Sequence, residues 1–180
     1  MPEKTLEQWQ YPIGRFESKE EYSEGETQTA ITYLLDFPLS LREEISKCTD
    51  EDLKTPYRSG GWTIRQLIHH IADSHMHAYT RCKFAYLENH PLIKNYHEKD
   101  WAERSPEVSI TPIEASLSII EGIYARWGDF FTQLTPEDFN RTFLHPEREV
   151  PFSLAEVSCF YAWHAAHHLA HIQNYLLNKS

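Results

Sequence analysis

The chain has 180 residues, of which 41% are hydrophobic, enough for one domain with a substantial buried core. Its 17 basic and 27 acidic side chains give a net charge of -10, which argues against a nucleic-acid backbone or an anionic membrane surface as the main partner. The three cysteines form no C-x-x-C pair, and no apolar run reaches the length of a membrane span. We therefore expect a single cytoplasmic domain over residues 1–180.

The first half of the chain contains an aromatic arm and two helix signals. Residues 1–22 carry turn-forming residues and form an N-terminal arm that we expect to lie on the domain as coil. Ser23 and Glu26 have the spacing of a capping box and begin the first helix, and Thr63 with Gln66 begins the second. Apolar residues recur at helical period after both signals, so each predicts a long amphipathic helix.

Two more helices are predicted after a long connection. The stretch from Asn89 to Ile110 is longer than packing of two helices requires, and loops of this length are often functional. The sequence Thr111-Pro112 begins the third helix, and Ser153 begins a fourth that continues to near Asn178, after a turn-rich link with a small hairpin. No repeat or second core is evident, so we predict an all-α four-helix bundle with long crossover loops.

Histidine is the anomaly of the composition, because eleven occur and they cluster at residues 69–77 and 164–171. His164 and His168 have the i, i+4 spacing by which one helix offers two ligands to one metal ion, and His171 lies on the same face. Ala165 follows His164, so the H-E-x-x-H glutamate is missing and a zincin-type protease is excluded.

The polar face of the second helix supplies the candidate third ligand, His70. No histidine has a glutamate three residues before it, which disfavours a carboxylate-rich di-iron centre and favours one mononuclear site. Asp73 lies one turn from His70 and His77, so it is a candidate to orient a ligand ring. The alternative is a solvated face with a weak Asp-His pair. His75 lies on the apolar face and is interpreted as structural.

Three stretches together resemble a known family: Gly60-Gly61-Trp62-Thr63-Ile64-Arg65-Gln66 with the following His69-His70-Ile71-Ala72-Asp73-Ser74-His75-Met76, Tyr96-His97-Glu98-Lys99-Asp100-Trp101, and Trp163-His164-Ala165-Ala166-His167-His168-Leu169-Ala170-His171. They resemble the DinB-like superfamily, most nearly its YfiT-type metal-dependent hydrolases, which are relatives of the bacillithiol S-transferases. The resemblance implies a four-helix bundle, a divalent metal ion on His70, His164 and His168, a cytosolic location and a homodimer. His77 departs from the family pattern, which leaves open whether a fourth imidazole reaches the site.

Three functions are compatible with a three-histidine site that has open coordination positions. Metal-bound water would make the protein a hydrolase, with Asp73 or Glu98 as candidate base. A metal-bound low-molecular-weight thiol would make it an S-transferase, which we slightly favour because a metal-held thiolate needs no separate base. The third function is non-catalytic binding of a metal or ligand by the bundle.

The long connection is expected to form the wall of the substrate pocket. Its residues Tyr96, Glu98 and Trp101 would cover the metal site and select a small-molecule substrate, and His77 and His171 would contribute from the helices. His145 is placed on the opposite side, mainly on the strength of the resemblance. Imidazole suits zinc, nickel, copper and iron alike, and we take zinc or nickel as the expected ion.

Overall fold

The structure, a computed structural model, describes residues 5–179. Within this range the elements are α1 (Leu6–Gln10), α2 (Glu24–Ile45), α3 (Ile64–Leu87), α4 (Glu98–Arg104), α5 (Ile113–Thr132), β1 (Thr142–Phe143), β2 (Phe152–Ser153) and α6 (Leu154–Asn178), with 3-10 turns at Asp52–Lys54 and Asp138–Asn140. The first four residues of the predicted arm lie outside the described residues. The four predicted long helices are α2, α3, α5 and α6.

These four helices close into a bundle in which α2 and α3 each pack mainly against α5 and α6. Consecutive long helices α2 and α3 therefore stand diagonally across the bundle, and so do α5 and α6. A chain that crosses the diagonal needs a long connection, which accounts for the first crossover (46–63) and the third crossover (133–153). The arrangement makes α3 and α6, the two histidine-bearing helices, neighbours.

Three of the four long helices begin at the capping residues that the sequence predicted. Ser23, Thr63 and Ser153 each accept a hydrogen bond from a backbone N–H of the first turn, as their spacing predicted. The signal at Thr111 was wrong in detail, because Pro112 is the N-cap of α5 and makes no side-chain capping bond. Proline still suits that position, since its fixed φ begins a helix and the missing N–H would be unpaired there.

Two segments expected as coil contain short helices. The N-terminal arm holds α1, which a capping box between Thr5 and Gln8 begins. The second crossover (88–112) holds α4, whose Ala102 is buried against α3. Both helices fall below the length at which a helix is stable alone, so packing on the bundle rather than local propensity holds them.

The arm and the crossovers are fixed over the helices that carry the histidines. Phe16 packs edge-on against Phe160 with ring centroids 5.2 Å apart, and the Trp163 indole N–H donates to the Gly14 carbonyl at 3.2 Å. The second and third crossovers are joined by two backbone hydrogen bonds around Leu144, which donates to Pro91 and accepts from Ile93. The predicted hairpin forms where β1 pairs antiparallel with β2.

Apolar side chains of all four long helices meet along the bundle axis, and Trp127, Phe37 and Leu41 are among the most completely buried of them. Among residues 5–179, no helix combines the length and the apolar character needed to cross a bilayer.

Replacing Leu41 with alanine should destabilise the bundle by about 2–5 kcal/mol, because a fully buried leucine leaves a cavity that its neighbours fill only in part. Leu39→Ala on the same helix is the matched control; Leu39 is 76% exposed, and its loss should change the free energy of unfolding by less than about 0.5 kcal/mol. Urea unfolding followed by circular dichroism measures both. Equal losses in the two variants would show that the packing of α2 is not as described.

Candidate metal centre

Three histidines from the adjacent helices α3 and α6 converge at one point of the bundle. His70 lies nearly two turns into α3, and His164 and His168 occupy successive turns of α6. One ring nitrogen of each residue lies within 4.8 Å of the other two. The structure therefore brings together the three residues that the sequence predicted as metal ligands.

Burial keeps these imidazoles neutral. His70 and His168 are buried, and His164 is half-buried. Loss of hydration lowers the pKa of His70 to about 4, and burial together with neighbouring histidines lowers the pKa of His164 and of His168 well below the usual value. A neutral imidazole has a free lone pair near pH 7, so a cation can bind without first displacing a proton.

The donor set fits a divalent ion. The Nε2 atoms of His164 and His168 are 3.0 Å apart, so both can face one ion between them and His70. No cysteine or carboxylate of residues 5–179 joins this group as a further candidate ligand. A site with three protein ligands leaves a coordination position free for a small molecule, as in catalytic rather than structural sites.

A chain of hydrogen bonds behind His164 orients its ring. His164 Nδ1 lies 2.9 Å from Nε2 of the fully buried His75, and His75 Nδ1 is hydrogen-bonded to the Tyr124 hydroxyl. If Nε2 of His164 is to offer its lone pair, the proton of that ring must be on Nδ1 and donate to His75. His75 then carries its proton on Nδ1 and donates to the Tyr124 oxygen. Partners of this kind fix the tautomer and the orientation of a ligand ring.

The hydrogen-bond partner of the His164 ring is His75, whereas the sequence offered Asp73 as the candidate to orient a ligand ring. Within residues 5–179 no hydrogen bond joins Asp73 to a histidine, and its side chain is not part of the cavity wall described below. Burial, and after it the negative charge of Glu107, raises the pKa of Asp73 to about 6.

A cavity of about 690 Å³ opens beside the three histidines, within the size range of small-molecule sites. Of the predicted pocket residues, Tyr96, Glu98 and His145 line it. His77 and Trp101 do not line it but support Tyr96 from behind, with ring centroids 4.3 and 5.2 Å from that of Tyr96. The second crossover thus supplies a wall of the cavity.

His171 lies away from the cavity, with its ring centroid 4.3 Å from that of Tyr57. It belongs to a second candidate group with His167 and His168, whose ring nitrogens also lie within 4.8 Å of one another. We favour the first group, because its ligands come from two helices, all three line the cavity, and His75 orients one of them. The second group uses one helix only.

Sequence reasoning missed several residues of the cavity wall. The aromatic side chains among them are Trp62, Phe160, Tyr161 and Trp163, and the polar ones on α3 are Ser74 and Arg81. A signal for the α3 residues was present, since positions 70, 74 and 81 lie at i, i+4 and i+11 and share one helix face. The sequence contained a weaker indication for His75. It is a histidine on an apolar helix face, and a buried imidazole needs a hydrogen-bond partner.

Comparison with known proteins identifies the family. The model of the DinB superfamily matches residues 39–172. This chain belongs to the DinB superfamily. It is 45% identical to a protein of Oceanobacillus iheyensis named "Putative metal-dependent hydrolase", over 94% of this chain and 96% of that one. It is 39% identical to a protein of Geobacillus kaustophilus with the same description, over 93% and 94% of the two chains.

A solved structure extends the comparison to the fold. It belongs to YfiT from Bacillus subtilis, described as "a probable metal-dependent hydrolase with an unusual four-helix bundle topology". The match has a TM-score of 0.89 at 36% sequence identity and covers 93% of this chain and 95% of that chain. The predicted fold class and the predicted YfiT-type relationship are confirmed. The names of these relatives agree with a metal-dependent activity.

Alanine at His70, His164 or His168 should each lower the metal content several-fold, because each change removes one of three ligands. His171→Ala is the matched control on α6 and should keep the content of the unaltered protein. Elemental analysis after metal loading measures this. If His171→Ala loses the ion and His70→Ala keeps it, the second histidine group is the metal site.

His75→Phe should weaken metal affinity by about 10- to 100-fold, because it leaves the Nδ1 proton of His164 without an acceptor while a ring still fills the space. Tyr124→Phe should act in the same direction with a smaller effect. Asp73→Asn is the control and should leave affinity unchanged. Chelator competition gives the affinities, and circular dichroism verifies the fold. An equal loss in Asp73→Asn would restore the orienting role predicted for that residue.

Proposed function

We propose that this protein is a metal-dependent enzyme that transfers a low-molecular-weight thiol to a small electrophile. The observation that carries the proposal is the placement of three neutral histidines in the wall of a cavity of about 690 Å³, with no carboxylate of residues 5–179 bonded to them. A cavity of this size accommodates a thiol and an acceptor side by side. Activation of a thiol on the histidine site requires no adjacent base.

The residues that would hold the ion are His70, His164 and His168. A divalent ion held there would supply Lewis acidity, which lowers the pKa of a thiol or of water that it binds. The protein's own contribution is orientation: the hydrogen bond from His164 to His75 keeps the lone pair of His164 directed at the site. We expect zinc or nickel as the ion, and the homodimer and the cytoplasmic location stay predictions.

The aromatic walls would hold the acceptor and limit access of water. Trp62 packs against His70 with ring centroids 4.8 Å apart, and Phe160 lies against His164 at 6.0 Å. The Trp62 indole N–H donates to Glu103 of α4 at 3.0 Å, which fixes this wall to the second crossover. Apolar surface beside the reacting sulfur favours an apolar electrophile and makes local electrostatic interactions stronger.

In the proposed step the thiol gives up its proton to water at the cavity mouth. Its sulfur then forms a bond to the electrophilic carbon, and the leaving group departs with the electron pair of the bond that breaks. The product is a thioether, and no oxidant or reductant is consumed. Proximity of the two reactants in one cavity accounts for the rate advantage over solution.

Hydrolysis is the second candidate, and one observation favours it. Glu98 lines the cavity, where loss of hydration, and after it the charge of Glu147, raises the pKa of its carboxyl. A carboxylate with a raised pKa is a better general base for water near neutral pH. The names of the relatives quoted above also point to hydrolysis. Of the two bases considered from the sequence, Glu98 is the one that faces the cavity.

The test uses zinc- or nickel-loaded protein with a panel of thiols and a haloalkyl fluorogenic acceptor, beside a panel of esters and amides. We expect thiol-dependent conjugation that His164→Ala abolishes and Glu98→Gln changes by less than about threefold. A hydrolase would cleave esters or amides without a thiol, and Glu98→Gln would slow it by about 100-fold or more. Hydrolysis without conjugation would overturn the proposal. If neither reaction occurs, non-catalytic binding becomes the better explanation.

A further inference from the structure

One face of α3 connects the candidate metal centre to a buried arginine. His70, Ser74 and Arg81 occupy positions i, i+4 and i+11 and all line the cavity. Eleven residues at about 100° each return to within roughly 20° of the starting direction, so the two ends of this row point the same way. At about 1.5 Å per residue they are roughly 16 Å apart along the helix axis. The cavity therefore has a histidine end and an arginine end.

Arg81 is buried without a carboxylate partner. The residue is 8% exposed, and within residues 5–179 no carboxylate oxygen lies within 4.0 Å of its guanidinium. It makes one hydrogen bond, to the Lys94 carbonyl at 3.3 Å, and faces the Tyr96 ring at 5.9 Å. Most donors of this guanidinium fork have no protein acceptor, and none of them is a fully enclosed unsatisfied atom, so they open into the cavity. By contrast, Arg148 pairs with buried Glu156 at 3.1 Å.

The nearby acidic residues do not satisfy this charge. Glu147 lines the same cavity, but its carboxylate accepts a hydrogen bond from the Asn95 amide at 2.5 Å and makes no ion pair with Arg81. Burial, and after it the positive charge of Arg81, lowers the pKa of His145, and both side chains line the cavity. Arg81, Asn95 and His145 therefore offer hydrogen-bonding groups at one end of the cavity.

From this arrangement we infer that Arg81 is a carboxylate-binding subsite, which holds an acidic end of the substrate while the reacting group lies at His70, His164 and His168. The inference rests on the proposed function for the role of the histidine end, and it adds the substrate class. The planar guanidinium fork matches a carboxylate with two parallel hydrogen bonds.

The charged residues of the cavity wall are Arg81, Lys99, Glu98, Asp100 and Glu147, two positive and three negative. This balance favours a monoanionic carboxylate over a dianionic phosphate.

The substrate that fits both ends is an elongated acid. Side chains of an α-helix lean toward its N-terminus, and arginine is the longer of the two side chains, so the substrate spans less than the axial separation of the two residues. A carboxylic acid with a thiol or an acceptor carbon several bonds from the carboxyl meets this requirement. A neutral molecule of the same length would leave Arg81 buried and unpaired, and this difference is the source of discrimination.

Matched probes separate the subsite from the reaction. The probes are 6-mercaptohexanoic acid, its amide 6-mercaptohexanamide, 6-mercaptohexylphosphonate, and heptanoic acid, which lacks the thiol. Binding to the metal-loaded full chain is followed by calorimetry and by the fluorescence of the cavity tryptophans. We expect the acid to bind at least about tenfold more tightly than the amide, as a charge-assisted bidentate contact provides.

Arg81→Gln should reduce this preference to less than about twofold, with metal content, circular dichroism and affinity for the amide unchanged. Arg81→Lys keeps the charge without the fork and should retain part of the preference. Lys83→Gln removes one positive charge from the same helix outside the cavity wall and should keep all of it. If the acid and the amide bind equally to the unaltered protein, or Arg81→Gln keeps the preference, the inference is wrong. Tighter binding of the phosphonate than of the acid would overturn the carboxylate class.

Failure of the proposed function and failure of the arginine subsite give different results in these binding and conjugation assays. His164→Ala should still prefer heptanoic acid over heptanamide if the arginine subsite is real, whatever reaction the metal centre performs. Thiol conjugation with no preference for acidic thiols would support the function and reject the subsite. A preference for acids with no conjugation would support the subsite and reject the function.

Discussion

The contact between α3 and α6 is the feature on which the rest of this structure depends, because it places a group of neutral imidazoles inside an apolar bundle. Each buried ring has two nitrogens that need a partner, and a partner missing from the interior costs about 1–3 kcal/mol. His75 meets part of this requirement by bonding both His164 and Tyr124. A divalent ion would engage the nitrogens of His70, His164 and His168 that face one another. The metal centre and the polar core are therefore parts of one network.

The diagonal order of the helices explains why the crossovers, rather than the helices alone, form the cavity. The first and third crossovers must each cross an end of the bundle, because α2 and α3 stand diagonally and so do α5 and α6. The second crossover contributes the short helix α4. The backbone bonds of Leu144 join the second and third crossovers, so the two segments form one rim. Tyr96 and His145 stand on this rim and face the histidines from outside the bundle. Substrate selection can thus vary with the crossovers while the metal ligands stay on rigid helices.

Charge is distributed unevenly between the surface and the cavity. The chain carries a net charge of -10, and four of its nine arginines, Arg15, Arg42, Arg104 and Arg141, pair with carboxylates at the surface. Within the described residues Arg58, Arg65, Arg81 and Arg126 have no carboxylate partner, and of these four Arg81 is the one that lines the cavity, where it bonds a backbone carbonyl and an aromatic face. In a protein with this negative charge, an arginine in the cavity wall without a carboxylate partner is a place where an anion can bind. The proposed acid subsite and the overall charge are therefore consistent.

Local patterns in the sequence predicted a large share of this protein. Capping boxes at Ser23 and Thr63 determined where helices begin, since such bonds involve residues only three positions apart. The i, i+4 spacing of His164 and His168 predicted two ligands on one face, because helical geometry fixes that relation before any tertiary contact forms.

The remaining features needed the fold. Asp73 and His75 are both close to His70 in sequence, yet the packing of α3 against α6 brings His75 within hydrogen-bond distance of His164, while no hydrogen bond within residues 5–179 joins Asp73 to a histidine. The pairing of Tyr124 with His75, and the absence of a carboxylate beside Arg81 within residues 5–179, likewise depend on residues distant in the chain. The sequence by itself determined the four long helices, their histidine faces and the family. Only the tertiary structure decided which polar groups meet in the interior, because burial and partner choice are set by how helices pack and not by spacing along one of them.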